Sequence, residues 1–106
     1  MSESIIEFTG GARVGAINAT WPFATLIATP EYIEINAPII GSKRYSANEV
    51  KCLEKHRGFI SRGVRIFSSN NNDRVKVIFW CFGNPQKIID QITEVGFTPS
   101  GGATNA

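Results

Sequence analysis

Histidine, cysteine and methionine are scarce in this 106-residue chain, which holds one His, two Cys and one Met. Acyl-transfer chemistry needs a nucleophile, a base and an orienting group close together, and the lone His56 sits in the basic run Lys55-His56-Arg57 with no Gly-x-Ser-x-Gly turn anywhere to present a serine. A catalytic triad is therefore not expected, and the chain reads as a non-enzyme. Cys52 and Cys81 lie far apart, without C-x-x-C spacing or a neighbouring ligand set, so they read as small buried hydrophobes and no metal or redox site is expected. The glycines Gly10, Gly11 and Gly15 precede neither a lysine nor a helix, which excludes a phosphate loop and assigns them to turns and sheet curvature. No cofactor is expected.

Long apolar runs are also missing. The best stretch, Val75 to Phe82, is interrupted by Lys76 and ends at Gly83 and Pro85, well short of the ~18 residues that a membrane-spanning helix requires. The first residues, Met1 to Phe8, carry acids where a secretory signal has a basic flank, so a cytoplasmic protein is expected and the sequon Asn18-Ala19-Thr20 carries no meaning.

What is present is ordinary for a globular chain: 42% apolar and 10% aromatic residues, with a formal charge of +2. The length suits one domain with one core, burying roughly two-thirds of its unfolded surface without help from disulfides or metals. We expect a leader or edge strand over residues 1–9, a domain over 10–97 and a disordered tail over 98–106, whose Thr, Pro, Ser, Gly and Asn have almost nothing to bury. Charge is unevenly spread. Between Lys43 and Lys76 nine basic residues face three acids, a local balance of +6 against −4 for the flanks. Most of these charges read as the solvated side of a sheet, with one basic face as the alternative.

Segments of five to eight residues rich in Val, Ile, Phe, Tyr and Thr alternate with Gly, Pro, Asn and Ser clusters, the pattern of an antiparallel meander of about seven strands. Strands are expected near Ala12–Asn18, Trp21–Ala28, Tyr32–Asn36, Ser42–Ser46, Val50–Lys55, Val64–Ser68 and Arg74–Phe82. In the second, Trp21, Phe23, Thr25 and Ile27 share one side and Ala24, Leu26 and Ala28 the other; in the third, Ile33 and Ile35 face the core. Ser46 and Glu49 have capping-box spacing and predict a single helical turn, and residues 69–73 predict a hairpin. After the strands, Asn84 as N-cap, Pro85 at the first helical position, the stripe Ile88, Ile89, Ile92, Val95 and the closing Gly96-Phe97 predict a helix from Pro85 to Val95 lying on the sheet.

Arg65, Arg74 and Lys76 lie near Phe67, Phe79 and Trp80, an interleaving that could suggest nucleic acid. Phe79 shares its side of the strand with Val75 and Val77, which assigns it to the core, so nucleic acid is not an expected partner. Trp80, on the other side with Lys76 and Ile78, is expected to pack under the helix or face a partner.

The stretches Asn18-Ala-Thr-Trp-Pro-Phe-Ala24, Arg62-Gly-Val-Arg-Ile-Phe67 and Phe79-Trp-Cys-Phe-Gly-Asn-Pro85, in a meander followed by one helix, resemble the pleckstrin-homology-like superfold in its short bacterial and GRAM-like versions. The resemblance spans roughly residues 11–97. It implies a mainly β, partly open seven-stranded antiparallel barrel capped by one C-terminal helix, serving to bind protein partners, peptides or phosphoinositide head groups. Lipid-binding members carry lysines and arginines around the loop between the first two strands. Here that loop, read as Asn18–Thr20, has none, and the cations fall on middle strands. A protein partner or self-association is therefore the leading expectation, with anionic lipid as the alternative and Lys43, Arg44, Arg62, Arg65, Arg74 and Lys76 as the residues that would hold an acidic partner.

Overall fold

A computed structural model describes residues 5–57, 62–68, 77–81 and 83–101. Seven antiparallel strands, β1 (Ile6–Val14), β2 (Ile17–Ala28), β3 (Tyr32–Ala37), β4 (Gly41–Ser46), β5 (Val50–Arg57), β6 (Arg62–Ser68) and β7 (Val77–Cys81), precede one helix, α1 (Pro85–Val95). They form one curled sheet in the order β4-β3-β2-β1-β7-β6-β5, with β4 and β5 as its edges. The chain is thus a mainly β, half-barrel sheet closed by a C-terminal helix. The expected hairpin at 69–73, together with Arg74, Lys76 and residues 102–106 of the tail, lies outside the described residues.

The first strand differs from the expectation. Residues 12–18 straddle a hairpin whose turn is Gly15-Ala16, with Gly15 at φ +62. The glycine pair Gly10-Gly11, assigned to turns and sheet curvature, lies not in a turn but inside β1, buried at the register shift between Gly10 and Ala12. The loop between the first two strands is consequently Gly15-Ala16, not Asn18–Thr20, and Arg13 beside it donates from Nε to the Gly15 carbonyl at 2.9 Å. On β2, residues 20–23 stand against the single residue Gly11, because the pairs Gly10↔Ala24 and Ala12↔Ala19 flank them. Such a bulge unpairs its residues and swings their side chains off the sheet; the Trp21–Pro22 bond within it is cis.

Alternation along β2 and β3 buries Ala24, Leu26, Ala28, Ile33 and Ile35 on the inner face, where they join Val64, Ile66, Val77, Phe79, Ile88, Ile92 and Phe97. The smaller set of β2 side chains, Ala24, Leu26 and Ala28, faces the core. Helix α1 keeps its predicted bounds. Asn84 Oδ1 accepts from Gln86 N at 3.0 Å, while Gly96 N donates to Thr93 O and Phe97 N to Ile92 O. The latter pair is the Schellman arrangement, which places Phe97 back over Ile92. The predicted turn after β4 is a 3₁₀ turn, Ala47–Glu49, with Glu49 Oε1 accepting from Ser46 N at 2.9 Å. Of the expected tail, residues 98–101 are described: Ser100 N donates to Ala47 O and Gly101 N to Val50 O, tying the chain after α1 to the gap between the sheet edges.

Candidate functional site

The residues picked from charge do not gather in one place. Lys43 and Arg44 lie on edge strand β4, Arg62 and Arg65 on β6, and four strands separate these in the sheet order. Neighbours in one strand, Lys43 and Arg44 point to opposite faces. Arg44 is already engaged: its Nε lies 2.7 Å from Glu34 Oε1 and its guanidinium 3.9 Å from the centre of the Tyr32 ring. Arg65 is half-buried, its guanidinium 4.4 Å from the centre of the Phe67 ring.

Register explains the Glu34 cluster. Glu34 is opposite Arg44 and Asn36 opposite Ser42, all on the outer face of the β3–β4 pair. Asn36 Nδ2 donates to Glu34 Oε2 at 2.8 Å, and Ser42 Oγ donates to Asn36 Oδ1. The Asn36 amide first, and the Arg44 guanidinium second, hold the Glu34 carboxyl below its ordinary pKa. A folded-state pKa below the unfolded value stabilises the fold above the unfolded pKa, about 4.3, and that contribution fades as pH falls through the folded value. The melting temperature of the wild type should therefore drop more between pH 5 and pH 3 than that of Glu34→Gln. Equal slopes in a pH series of thermal melts would contradict the assignment.

On the outer face at the centre of the sheet, Trp80 reaches across β1 to β2, its Nε1 donating to Asn18 Oδ1 at 2.9 Å. His56 approaches its ring edge-on, centroids 5.6 Å apart. Trp80 thus packs on the face opposite α1, not under the helix. Ile78, opposite both Arg13 and Arg65, is buried beside it. Cys52 and Cys81 sit on β5 and β7 with β6 between, and their register partners, Phe67 and Arg62, lie at opposite ends of β6, too far apart for a disulfide. Burial raises both thiols above the ordinary cysteine range, with Glu54 adding to the shift at Cys52. Among the described residues no three His, Cys, Asp or Glu side chains are grouped to hold a metal ion, and no helix is long and apolar enough to cross a membrane.

Exposed apolar side chains lie in the β2 bulge and at the β3–β4 hairpin tip. Phe23, in the β2 bulge, is 62% exposed and Trp21 49%; Ile39, at the tip of the β3–β4 hairpin, is 90% exposed. Phe23 and Pro22 line a cleft of about 400 Å³ with Thr25, Asn36, Ala37, Pro38, Gly41 and Ser42. The hairpin tip is a γ-turn closed by Ile40 N donating to Pro38 O at 2.6 Å, with Ile39 at φ +70. That backbone region is strained for a β-branched side chain. Exposed strain of this kind marks places where the surface, not stability, has determined the residue. Charge-led reading missed this site. Two isoleucines held between Pro38 and Gly41 were the legible signal, because a turn cannot bury both.

No family model, curated protein or solved structure matches this chain. The candidate site therefore rests on the geometry of the Phe23–Pro38 cleft and of the β4 edge beside it, which pairs with no strand among the described residues.

Proposed function

We propose that this chain is a non-catalytic binding module of the pleckstrin-homology-like kind, and that it engages a protein partner at the Phe23–Pro38 cleft beside the exposed Ile39. The observation that carries the reading is an aromatic cleft beside an edge strand. Gly41 and Ser42 belong both to the cleft lining and to β4, whose outer side pairs with no strand among the described residues. An extended partner segment can add to β4 through main-chain hydrogen bonds and drop an apolar side chain against Phe23 and Pro22. Exposed aromatic side chains such as Phe23 in a pocket are ones on which binding energy concentrates, and exposed apolar clusters mark interaction sites. The order of seven antiparallel strands and a closing helix supports the superfold resemblance, whose members bind more often than they react.

Hot-spot side chains contribute about 2 kcal/mol or more each, roughly 30-fold in affinity. The double variant Phe23→Ser/Ile39→Ser is expected to keep the wild-type melting temperature within a few degrees and to lose at least about 100-fold in affinity for the cognate protein or for a second copy of the chain. Cross-linking with mass spectrometry, followed by titration of the identified partner, reads both outcomes. Undiminished binding by the variant, or a wild type that stays monomeric and carries no cross-linked protein, overturns the reading.

A further inference from the structure

At the opposite edge of the sheet the register creates an unusual pair. Arg57 and Arg62 are directly opposite each other, as the last pair of the β5–β6 ladder. Their Cβ atoms are therefore held within about 4.5–5.5 Å, and like charges in this position destabilise a sheet. Both side chains are exposed. Lys55, two residues before Arg57, shares their face, and Arg62 is in turn opposite Cys81 on β7.

Among the described residues no carboxylate pairs with these charges. The same face of β5, β6 and β7 continues as Leu53, Val64, Ile66, Val77 and Phe79, without a carboxylate. Glu54, which borders the cleft beside Lys55, accepts from the Cys52 thiol and forms no ion pair with the three cations. The joining residues Gly58, Phe59, Ile60 and Ser61 contain no acid. None of Lys55, Arg57 and Arg62 has an ion pair or side-chain hydrogen bond among the described residues. Arg44, on the far edge, shows the contrast: its cross-strand neighbour is Glu34, and the two are paired.

We infer that the Arg57–Arg62 pair, with Lys55, forms an anion site that takes a phosphate group. A phosphate offers several acceptor oxygens to two guanidinium forks at once and converts their repulsion into mutual attraction to a shared anion. Beside Lys55, a cleft of about 400 Å³ lined by Leu53, Glu54, Gln86 and Ile89 runs between β5 and α1 and has room for the group that bears the phosphate. The site stands apart from the partner-binding cleft, at the other end of the strand order, so either can fail without the other.

The test compares thermal melts of the full chain in sodium phosphate and in sodium chloride of equal ionic strength. Saturating phosphate is expected to raise the wild-type midpoint by about 4 °C or more over chloride. Arg62→Gln and Arg57→Gln should each lose most of that rise while melting no lower than wild type in chloride, and Lys43→Gln, on the far edge, should keep it. Co-sedimentation with phosphatidylcholine vesicles, with and without phosphatidylserine, then separates the sources. Serine-lipid-dependent binding that Arg62→Gln removes identifies a head group, whereas a phosphate response without vesicle binding identifies a soluble phosphate compound. A wild-type midpoint equal in the two salts, or a phosphate rise that survives in the Arg57→Gln/Arg62→Gln double variant, overturns the proposal.

Discussion

Phe97→Ala is expected to lose about 3–5 kcal/mol of unfolding free energy, the cost of emptying a fully buried aromatic site. Phe97 is 0% exposed although it lies beyond the last residue of α1. Its position follows from the helix terminus. Gly96, in the left-handed conformation, turns the chain back, and the Phe97 amide donates to Ile92 O at 3.3 Å, so the ring enters the same core cluster as Ile88, Ile92 and Phe79. Truncation therefore removes a side chain from the junction of helix and sheet and loosens the attachment of α1. For a domain whose total stability is about 5–15 kcal/mol, the melting temperature should fall by more than about 12 °C. Thr98→Ala, one residue on and exposed, should stay within about 0.5 kcal/mol of wild type. Calorimetric midpoints of the two variants that fall together would show that Phe97 is not part of the core.

Strand β7 gives the second large effect. It is clamped between two glycines on its neighbouring strands: a Cβ on Gly10 of β1 would lie 2.2 Å from Trp80 O, and one on Gly63 of β6 would lie 2.3 Å from Phe79 O. Both obstacles are backbone atoms in the middle of the sheet, so no side-chain rotation can relieve them. Strands must separate or shift, and the ladders Gly11–Val14 with β7 and Arg62–Arg65 with β7 lose their geometry. Inserting atoms into a packed interior typically costs about 1–3 kcal/mol and more where backbone must move. Gly63→Ala and Gly10→Ala are each expected to lose at least about 3 kcal/mol in urea unfolding, and the double variant should not fold. A loss below about 1 kcal/mol for either would mean that the strands lie farther apart than described. The substitutions delete no native atom; the loss comes from the ladders they force apart.

The helix was legible residue by residue, because caps, proline position and apolar stripe are local: Asn84, Pro85, Ile88, Ile92, Gly96 and Phe97 specify it within 14 residues of chain. Inner-facing Ile33 and Ile35 were equally readable from alternation. The first hairpin was not. Gly10-Gly11 and Gly15 are the same residue type, and their separate roles, close packing against β7 and a turn, depend on which strand lies alongside. Nor did composition indicate which side of β2 is inner. Trp21, Phe23 and Ile27 are the more apolar set, yet Ala24, Leu26 and Ala28 are the ones buried in the core, while Trp21 and Phe23 are left exposed in the bulge.

Charge was the weakest guide to a site, for a related reason. A count along the chain groups Lys43 with Arg62, while the sheet order places their strands near opposite ends. By itself the sequence determined the strand-rich composition, the single terminal helix with both its caps, and the scarcity of the groups that catalysis needs, since each depends on residues close together in the chain. Tertiary structure decided which cations are paired, which aromatics are left on the surface and which arginines must oppose each other. These outcomes depend on strand register and sheet curl, which bring together residues that no local pattern connects.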